Sequence, residues 1–139
     1  MDDFSKFVWL FPIASKSDVY NIFLKFQSFV DRYFDRKTRS IQFDWGGEYR
    51  KLHTRFQSLG ISHRLSYPHT HQQNGSIETG LTLLASASIP KKYWDEAFLT
   101  AIYLNNLLPS PLTNNKSSLE IIFHRKPYYN FLKFFGCAC

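Results

Sequence analysis

Residues 1–75 alternate between two apolar patterns, and this alternation limits the folds open to the chain. Short apolar runs, which are typical of strands, are separated by segments whose apolar residues recur every three or four positions, which is typical of helices. The predicted elements are a strand at residues 7–13, a helix at 17–33, a strand at 41–44, a helix at 48–59 and a strand at 61–66. Alternating strands and helices indicate an α/β domain.

Residues with clear local preferences mark the ends of these elements. Ser17 is a good N-cap for the first helix, and Gly60 is able to take the left-handed conformation that closes the second. Residues 7–13 are almost wholly apolar, so we expect this strand to be covered on both faces. Residues 67–75 are polar and contain Pro68 and Gly75, which predicts a loop. The predicted buried stripe of the first helix is Val19, Ile22, Phe23, Phe26, Val30 and Tyr33.

Helical patterns dominate residues 77–124. A first helix contains Gly80, and Pro90 suits the first turn of the next one. A short helix is predicted at residues 117–124, followed by an extended end. The predicted buried stripe of the helix after Pro90 is Trp94, Ala97, Phe98, Ala101, Leu104 and Leu108. We therefore expect a domain over residues 1–89 and a helical extension over residues 90–139.

The composition excludes several classes of protein. Hydrophobic residues make up 44% of the 139 residues, which is enough for a packed core and excludes a disordered tail. Charged residues make up 20% and the apolar runs are short, so no membrane span is expected. No secretory signal is visible, and Cys137 and Cys139 lie too near the end of the chain to staple the fold. We therefore expect a reducing, intracellular environment.

Positive charge is concentrated in the middle of the chain. The net charge is +6, and residues 31–70 alone carry eight Lys and Arg against four Asp and Glu. A polyanion such as DNA would approach there. The alternative is that these side chains form an ordinary solvated surface.

Asp44 and Glu78 are the carboxylates that best fit a site. Asp44 ends a predicted strand and is followed by Trp45-Gly46-Gly47, and glycines let a bulky phosphate backbone come close. Glu78 begins a predicted helix 34 positions later. Together they suit a divalent cation bound by oxygen ligands, although a two-metal centre needs a third carboxylate. Taken singly, each has a structural alternative, because Asp often starts a turn and Glu favours a helix start.

Other polar residues fit structural roles or contacts to nucleic acid. Asp2 and Asp3 are interpreted as a turn before the first predicted strand. His63, His69 and His71 have the look of a zinc cluster, but no cysteine lies nearby and we do not favour one. The polar side chains of the 67–75 loop are interpreted instead as hydrogen-bonding contacts to a nucleic-acid backbone. These predicted contacts are His69, His71, Gln72, Gln73 and Asn74.

Five motifs occur along the chain in a characteristic order. They are Asp44-Trp45-Gly46-Gly47-Glu48-Tyr49, Gly60-Ile61, Pro68-His69-Thr70-His71-Gln72-Gln73-Asn74-Gly75, Lys92-Tyr93-Trp94-Asp95-Glu96-Ala97 and Phe135-Gly136-Cys137. Together they resemble one family, the integrase core of copia-type LTR retrotransposons. The resemblance covers essentially the whole chain and is strongest to elements of plant genomes. It implies a ribonuclease-H-like fold that inserts DNA into a chromosome with an Asp-Asp-Glu triad and Mg²⁺ or Mn²⁺. Asp44 matches the second Asp of that triad, and Glu78 matches the Glu.

The sequence departs from the family pattern in two places. The first triad Asp lies, in the family, upstream of a segment like residues 2–6, so we expect the first strand and most of the second to be missing. The family's basic helical stretch after the triad Glu is also missing here, and we expect a deletion of about eight residues, or about 12 Å of helix. Two origins of Glu78 stay open: it is the triad Glu, or a later Glu joined to this position by the deletion.

These departures predict an incomplete ribonuclease-H-like fold with a C-terminal helical extension. Loss of the central strand would leave open sheet edges, which predicts poor folding or self-association. We expect weak DNA binding at most and no strand transfer. The alternatives are a non-catalytic nucleic-acid binder and an interaction fragment that uses the apolar helix at residues 94–108.

Overall fold

The computed structural model describes residues 1–43, 47, 50–65 and 90–133. These residues fall into two compact units. We call residues 11–43, 47 and 50–65 the sheet unit, and residues 1–10 and 90–133 the helical unit. The predicted domain boundary after residue 89 follows a stretch outside the described residues and stays a prediction.

The sheet unit alternates helices and strands as the apolar pattern predicts. Its helices are α1 (Val19–Tyr33) and α2 (Arg50–Ser58), and its strands are β1 (Ser40–Phe43) and β2 (Ser62–Leu65). β1 and β2 are parallel and in register, with Ser40 opposite Ser62 and Phe43 opposite Leu65. The predicted strands and helices at these positions are therefore confirmed within the described residues.

A small core joins α2 to the sheet. It consists of Phe43, Leu52, Phe56 and Ile61, each at most 9% exposed. Four partly buried side chains of α1 and β1 pack against it: Val19, Tyr20, Phe23 and Ile41. Fully burying a side chain of this kind stabilises a fold by about 1.5–3 kcal/mol, so the four core residues together contribute several kcal/mol to the sheet unit.

The first helix starts differently from the prediction. A 3₁₀ turn at Lys16–Asp18 precedes α1, and its N-cap is Ser15 rather than Ser17. The Ser15 and Asp18 side chains form a reciprocal capping box, in which Ser15 Oγ accepts from the backbone and Asp18 accepts from the Ser15 N–H. The capping box satisfies two backbone N–H groups, whereas a cap formed by Ser17 alone would satisfy one. The box therefore stabilises the helix start at Ser15.

The predicted stripe of α1 is only partly correct. Val19 and Phe23 pack on the core, but no α1 residue is fully buried, and Tyr33 is 54% exposed. After the helix, the Asp31 carboxylate accepts hydrogen bonds from the backbone N–H and the hydroxyl of Thr38, at 2.8 and 2.6 Å. These bonds join the end of α1 to the segment that leads into β1.

Gly60 closes α2 as predicted. Its φ of +68° is in the left-handed region. The Gly60 N–H donates to the Gln57 carbonyl, and the Ile61 N–H donates to the Phe56 carbonyl. Glycine reaches this conformation without the steric cost that a Cβ imposes. The turn delivers Ile61 directly into the core.

The helical unit contains two helices and a minimal sheet. A 3₁₀ turn at Lys91–Tyr93 leads into α3 (Trp94–Leu107). Strand β3 (Pro109–Ser110) pairs antiparallel with β4 (Lys116–Ser117), and α4 (Ser118–Phe123) follows. Ser117 Oγ accepts from Glu120 N–H at 3.0 Å to cap α4, and His124 ends it with φ +55°. The predicted helix at residues 117–124 is thus confirmed.

The buried side of α3 is not the predicted stripe. Ala97 and Ala101 are fully buried as expected, but Trp94 and Leu108 are 54% and 51% exposed. Ile102, Asn106 and Leu107 are buried instead. The predicted stripe therefore contains only part of the buried side, which also includes two further apolar residues and the polar Asn106.

The predicted strand at residues 7–13 is wrong. The described chain has no strand there, and Phe11 and Ile13 are 46% and 41% exposed rather than covered on both faces. In the helical unit, the Asn106 side chain forms the two hydrogen bonds with Val8 that a neighbouring strand would otherwise form. Its Oδ1 accepts from Val8 N–H at 2.9 Å, and its Nδ2 donates to the Val8 carbonyl at 2.8 Å. One side-chain amide thus satisfies both backbone groups of Val8.

Candidate nucleic-acid interface

The carboxyl ends of β1 and β2 lie side by side. Phe43 ends β1, Leu65 ends β2, and the two are opposite each other in the parallel register. In parallel sheets, the edge formed by the carboxyl ends of the strands is where ligands bind, because the following loops converge there. Residues 44–46 follow β1 in the sequence and residues 66–89 follow β2. We call this edge the carboxyl edge.

Aromatic packing holds the last residue of β1. Phe43 is 9% exposed, and its ring lies 6.0 Å from Phe56 and 6.1 Å from His63, which stacks on it at 21°. His63 in turn meets His53 of α2 edge-on, with ring centroids 4.2 Å apart. Rings from β1, β2 and α2 therefore fix the strand from which the chain continues to Asp44.

The predicted site residues lie outside the described residues. This holds for both carboxylates, Asp44 and Glu78. It holds equally for the predicted contacts of the 67–75 loop: His69, His71, Gln72, Gln73 and Asn74. Their roles stay predictions. Within the described ranges, no group of three or more His, Cys, Asp or Glu side chains is placed to hold a metal ion.

His63, the first member of the disfavoured zinc cluster, is placed by the structure on β2. It is half-buried, and its ring packs between Phe43 and His53. The other two members, His69 and His71, are outside the described residues. This packing gives His63 a structural role between β1 and α2.

Asp2 and Asp3 form the predicted turn. Asp2 Oδ2 accepts from the backbone N–H and the hydroxyl of Ser5, at 2.7 and 2.6 Å, and Asp3 forms an ion pair with Lys6 at 2.7 Å. Lys6 has a positive φ of 59°, which completes the tight reversal. The interpretation of these acids as turn residues is confirmed, although no strand follows them.

Positive charge belongs mainly to the sheet unit. Residues 11–71 contain ten Lys and Arg against five Asp and Glu, whereas residues 1–10 and 72–139 contain seven against six. On β2, Arg64 is exposed and lies opposite the exposed Gln42 of β1 in the strand register. Residues 11–71 therefore have a net charge of +5, and Arg64 lies one residue from the carboxyl edge.

A second surface, on α1, was missed by the sequence interpretation. Leu24, Lys25, Ser28, Phe29, Arg32 and Tyr33 line a shallow groove of about 620 Å³ on the outer side of the helix. Phe29 and Tyr33 are 49% and 54% exposed. Their i, i+4 spacing was a visible signal, but the predicted stripe assigned Tyr33 to the core and omitted Phe29. We call these six residues the outer face of α1.

The whole chain is similar to a segment of retrotransposon polyproteins. It is 42% identical over 147 residues to the retrovirus-related Pol polyprotein from transposon RE1 of Arabidopsis thaliana, and equally to that from transposon RE2. It is 33% identical over 147 residues to the corresponding polyprotein from transposon TNT 1-94 of Nicotiana tabacum. No family model matches the chain. The sequence is thus related to retroelement Pol polyproteins over its full length.

The matched region is a small part of each relative. The chain spans about a tenth of the length of the polyproteins from RE1 and RE2. The match to each extends over 147 residues and includes all 139 of this chain, so eight aligned positions have no residue here. This number agrees with the size of the expected deletion, whose location after Glu78 stays a prediction.

In the part of the chain that the structure describes, no helix combines the length and apolarity needed to cross a membrane.

Proposed function

We propose that this chain corresponds to the integrase core of a copia-type retrotransposon Pol polyprotein and binds DNA through the carboxyl edge of its sheet unit. The observation that carries the proposal is the parallel, in-register pairing of β1 and β2. Because β1 and β2 end side by side, residues 44–46 and the chain that continues to the predicted loop at 67–75 both leave the sheet at the carboxyl edge. Two of the five motifs that resemble the integrase family, at residues 44–49 and 68–75, begin in those two segments.

Each segment has a distinct role in this proposal. Asp44, together with Glu78, supplies carboxylate oxygens, which are the ligands that Mg²⁺ and Mn²⁺ prefer. When bound, such ions activate an attacking oxygen and stabilise the leaving oxygen of a phosphodiester. The 67–75 loop contacts the DNA backbone through its histidine and amide side chains. The proposed fold is ribonuclease-H-like, with the paired strands as part of its sheet.

The charge of the sheet unit supports the choice of DNA as partner. The net charge of +5 over residues 11–71 favours a polyanion, and phosphate contacts normally supply most of the affinity for DNA. With about four phosphates contacted, the slope of log K against log salt would be about −3.6. Affinity would then fall about 150-fold between about 50 and 200 mM salt.

The DNA proposal is tested by fluorescence anisotropy with a labelled duplex across a salt series, with and without EDTA. We expect a steep salt dependence and no effect of EDTA, because phosphate contacts need no metal. A flat salt response would contradict the proposal.

We propose that these 139 residues alone do not catalyse strand transfer. The family resemblance assigns two triad carboxylates to them, Asp44 and Glu78, and two-metal chemistry uses three. Purified protein with Mg²⁺ or Mn²⁺ should leave oligonucleotide substrates unjoined, and Asp44→Asn should change nothing. Strand transfer that disappears in the Asp44→Asn variant would contradict this part of the proposal.

A second candidate function is an interaction fragment that uses α3. Its support is the exposure of large side chains on this helix and at its C-cap, with Trp94 at 54%, Tyr103 at 43% and the C-cap Leu108 at 51%. Exposed aromatic side chains are typical of protein interfaces. Size-exclusion chromatography with light scattering separates the two: a stable complex that Trp94→Ser abolishes, without salt-dependent DNA binding, would favour the second candidate.

A further inference from the structure

The outer face of α1 combines apolar and cationic side chains in a regular arrangement. Phe29 and Tyr33 lie one turn apart, with ring centroids 5.6 Å from each other and planes inclined at 35°. Both rings are about half exposed, and the groove they line has a volume of about 620 Å³. Half-exposed aromatic side chains together with arginine are the composition found at the centre of protein interfaces.

Two cations flank Phe29. Lys25 precedes it by four residues and Arg32 follows it by three, so both lie on the same side of the helix and are separated by about 10 Å along the axis. Both are exposed, and neither forms an ion pair with any described residue. Their charges are therefore open to an incoming partner.

The acids nearest in sequence do not neutralise this face. The Asp31 carboxylate accepts two hydrogen bonds from Thr38, beyond the end of the helix. Asp35 lies after α1, in a left-handed backbone conformation with φ +49°. The outer face is thus apolar at its centre and positive along its length.

We propose that the outer face of α1 docks an acidic amphipathic helix of a partner protein. The groove geometry defines the partner: acids at positions i and i+7 match the separation of Lys25 and Arg32, and apolar residues at i+3 and i+4 fill the space beside Phe29 and Tyr33. This is an interaction surface beyond the proposed DNA interface, and it does not depend on DNA binding.

Two other occupants fit the face less well. A second copy of the chain would bring the same positive residues together across a symmetric contact, which is unfavourable. DNA would satisfy the two cations, but its phosphates and sugars would leave Leu24 and Phe29 without apolar contacts. An acidic amphipathic helix satisfies both the charge and the apolar surface.

The proposal is tested with a fluorescein-labelled helical peptide of about 18 residues, or about five turns, that carries Glu at i and i+7 and Leu at i+3 and i+4. Anisotropy is measured with the full chain. The variant Lys25→Glu/Arg32→Glu should lose about tenfold in affinity, which corresponds to two charge contacts of ordinary strength. Phe29→Ser should lose a similar amount through the apolar contact. Because these residues are exposed, we expect the variants to stay folded, and circular dichroism checks this.

The matched control is Lys16→Glu/Arg55→Glu, which makes the same change of net charge in the sheet unit away from this face. It should keep the peptide affinity within about twofold. A peptide with Lys in place of Glu should bind the Lys25→Glu/Arg32→Glu variant and restore the lost affinity. Absence of peptide binding, equal losses in both double variants, or failure of the reversed pair would overturn the proposal.

Two further results would assign the face to another occupant and would also overturn the proposal. One is binding of a single-stranded oligonucleotide that Lys25→Glu/Arg32→Glu abolishes and the control double variant keeps, while the peptide does not bind. The other is a dimer, seen by analytical ultracentrifugation, that Phe29→Ser dissociates.

Discussion

Phe56 is the side chain on which the elements of the sheet unit converge. It is fully buried, and its ring lies 5.2 Å from Phe23 of α1 and 6.0 Å from Phe43 of β1. Phe56→Ala would leave a cavity at this junction and should cost about 3–5 kcal/mol of unfolding free energy. Urea denaturation followed by circular dichroism measures the loss.

Leu59 is the matched control for Phe56. It lies three residues further on but is 45% exposed, so Leu59→Ala should cost less than about 1 kcal/mol. Equal losses for the two variants would contradict the core described for the sheet unit.

Asn106 gives a second prediction at the level of single residues. Its amide satisfies both backbone groups of Val8, and Asn106→Ala would leave them without these partners, at a cost of about 1–3 kcal/mol. The neighbouring Asn105 is exposed, and Asn105→Ala should change stability by less than about 0.5 kcal/mol. Thermal unfolding of the two variants compares them directly. An unaffected Asn106→Ala variant would show that the Val8 contact contributes nothing.

Local preferences predicted some residue roles and missed others for identifiable reasons. The role of Gly60 was predictable because a left-handed helix end depends mainly on the glycine itself. The turn role of Asp2 was predictable because its partner, Ser5, is only three residues away. Ser15 was missed because Ser17 is an equally good cap in isolation, and the reciprocal bond with Asp18 decides between them. Asn106 was missed because its partner, Val8, is 98 positions away, and no local pattern contains that pairing.

The turn between α2 and β2 is an element-level feature that a single substitution tests. Gly60 has φ +68° and open space where a Cβ would be, so Gly60→Ala meets backbone strain alone. We expect a loss of about 1–2 kcal/mol in denaturant unfolding. Gly47 also has open space but no positive φ, and Gly47→Ala should cause no loss. A neutral Gly60→Ala variant would contradict the left-handed closure of α2.

The β1–β2 pair predicts self-association. In the described residues the sheet has two strands only, so each strand has one edge without a neighbouring strand. Such edges pair with other chains. Analytical ultracentrifugation should show association that increases with concentration. A monomer that unfolds cooperatively at every concentration would contradict this prediction.

Elements were predicted well where local periodicity defines them and poorly where a partner is required. The α1 and α2 patterns, and the strands at their ends, carry their own apolar spacing. Residues 7–13 have the apolarity of a strand, but a strand also needs backbone partners from elsewhere in the chain. Here the Asn106 side chain provides them for Val8, and no ladder forms.

At the level of the whole molecule, the charge is divided between the units. Most of the positive excess is in the sheet unit, and Arg64 lies exposed next to the carboxyl edge. If Arg64 contacts a phosphate, Arg64→Gln should weaken DNA binding for all sequences and reduce the salt slope by about one. Lys116→Gln in the helical unit is the control and should leave the slope unchanged. Equal slopes in the wild type and the Arg64→Gln variant would place the DNA contact elsewhere.

The relationship to Pol polyproteins was predicted from short motifs, because they combine residues that rarely occur together in one order. The ribonuclease-H-like fold and the roles of Asp44 and Glu78 came only with the family resemblance, since spacing alone left a turn and a helix start as alternatives. The outer face of α1 was not predicted, because which side of an amphipathic helix is covered depends on the rest of the fold.

Hydrogen–deuterium exchange of the 139-residue chain, with and without duplex DNA, decides whether the carboxyl edge is the DNA interface. We predict slower exchange on DNA binding in peptides that cover residues 43–50 and 65–75, and no change in peptides from α3. Protection confined to residues 90–133, or no protection at any salt concentration, would contradict the proposal.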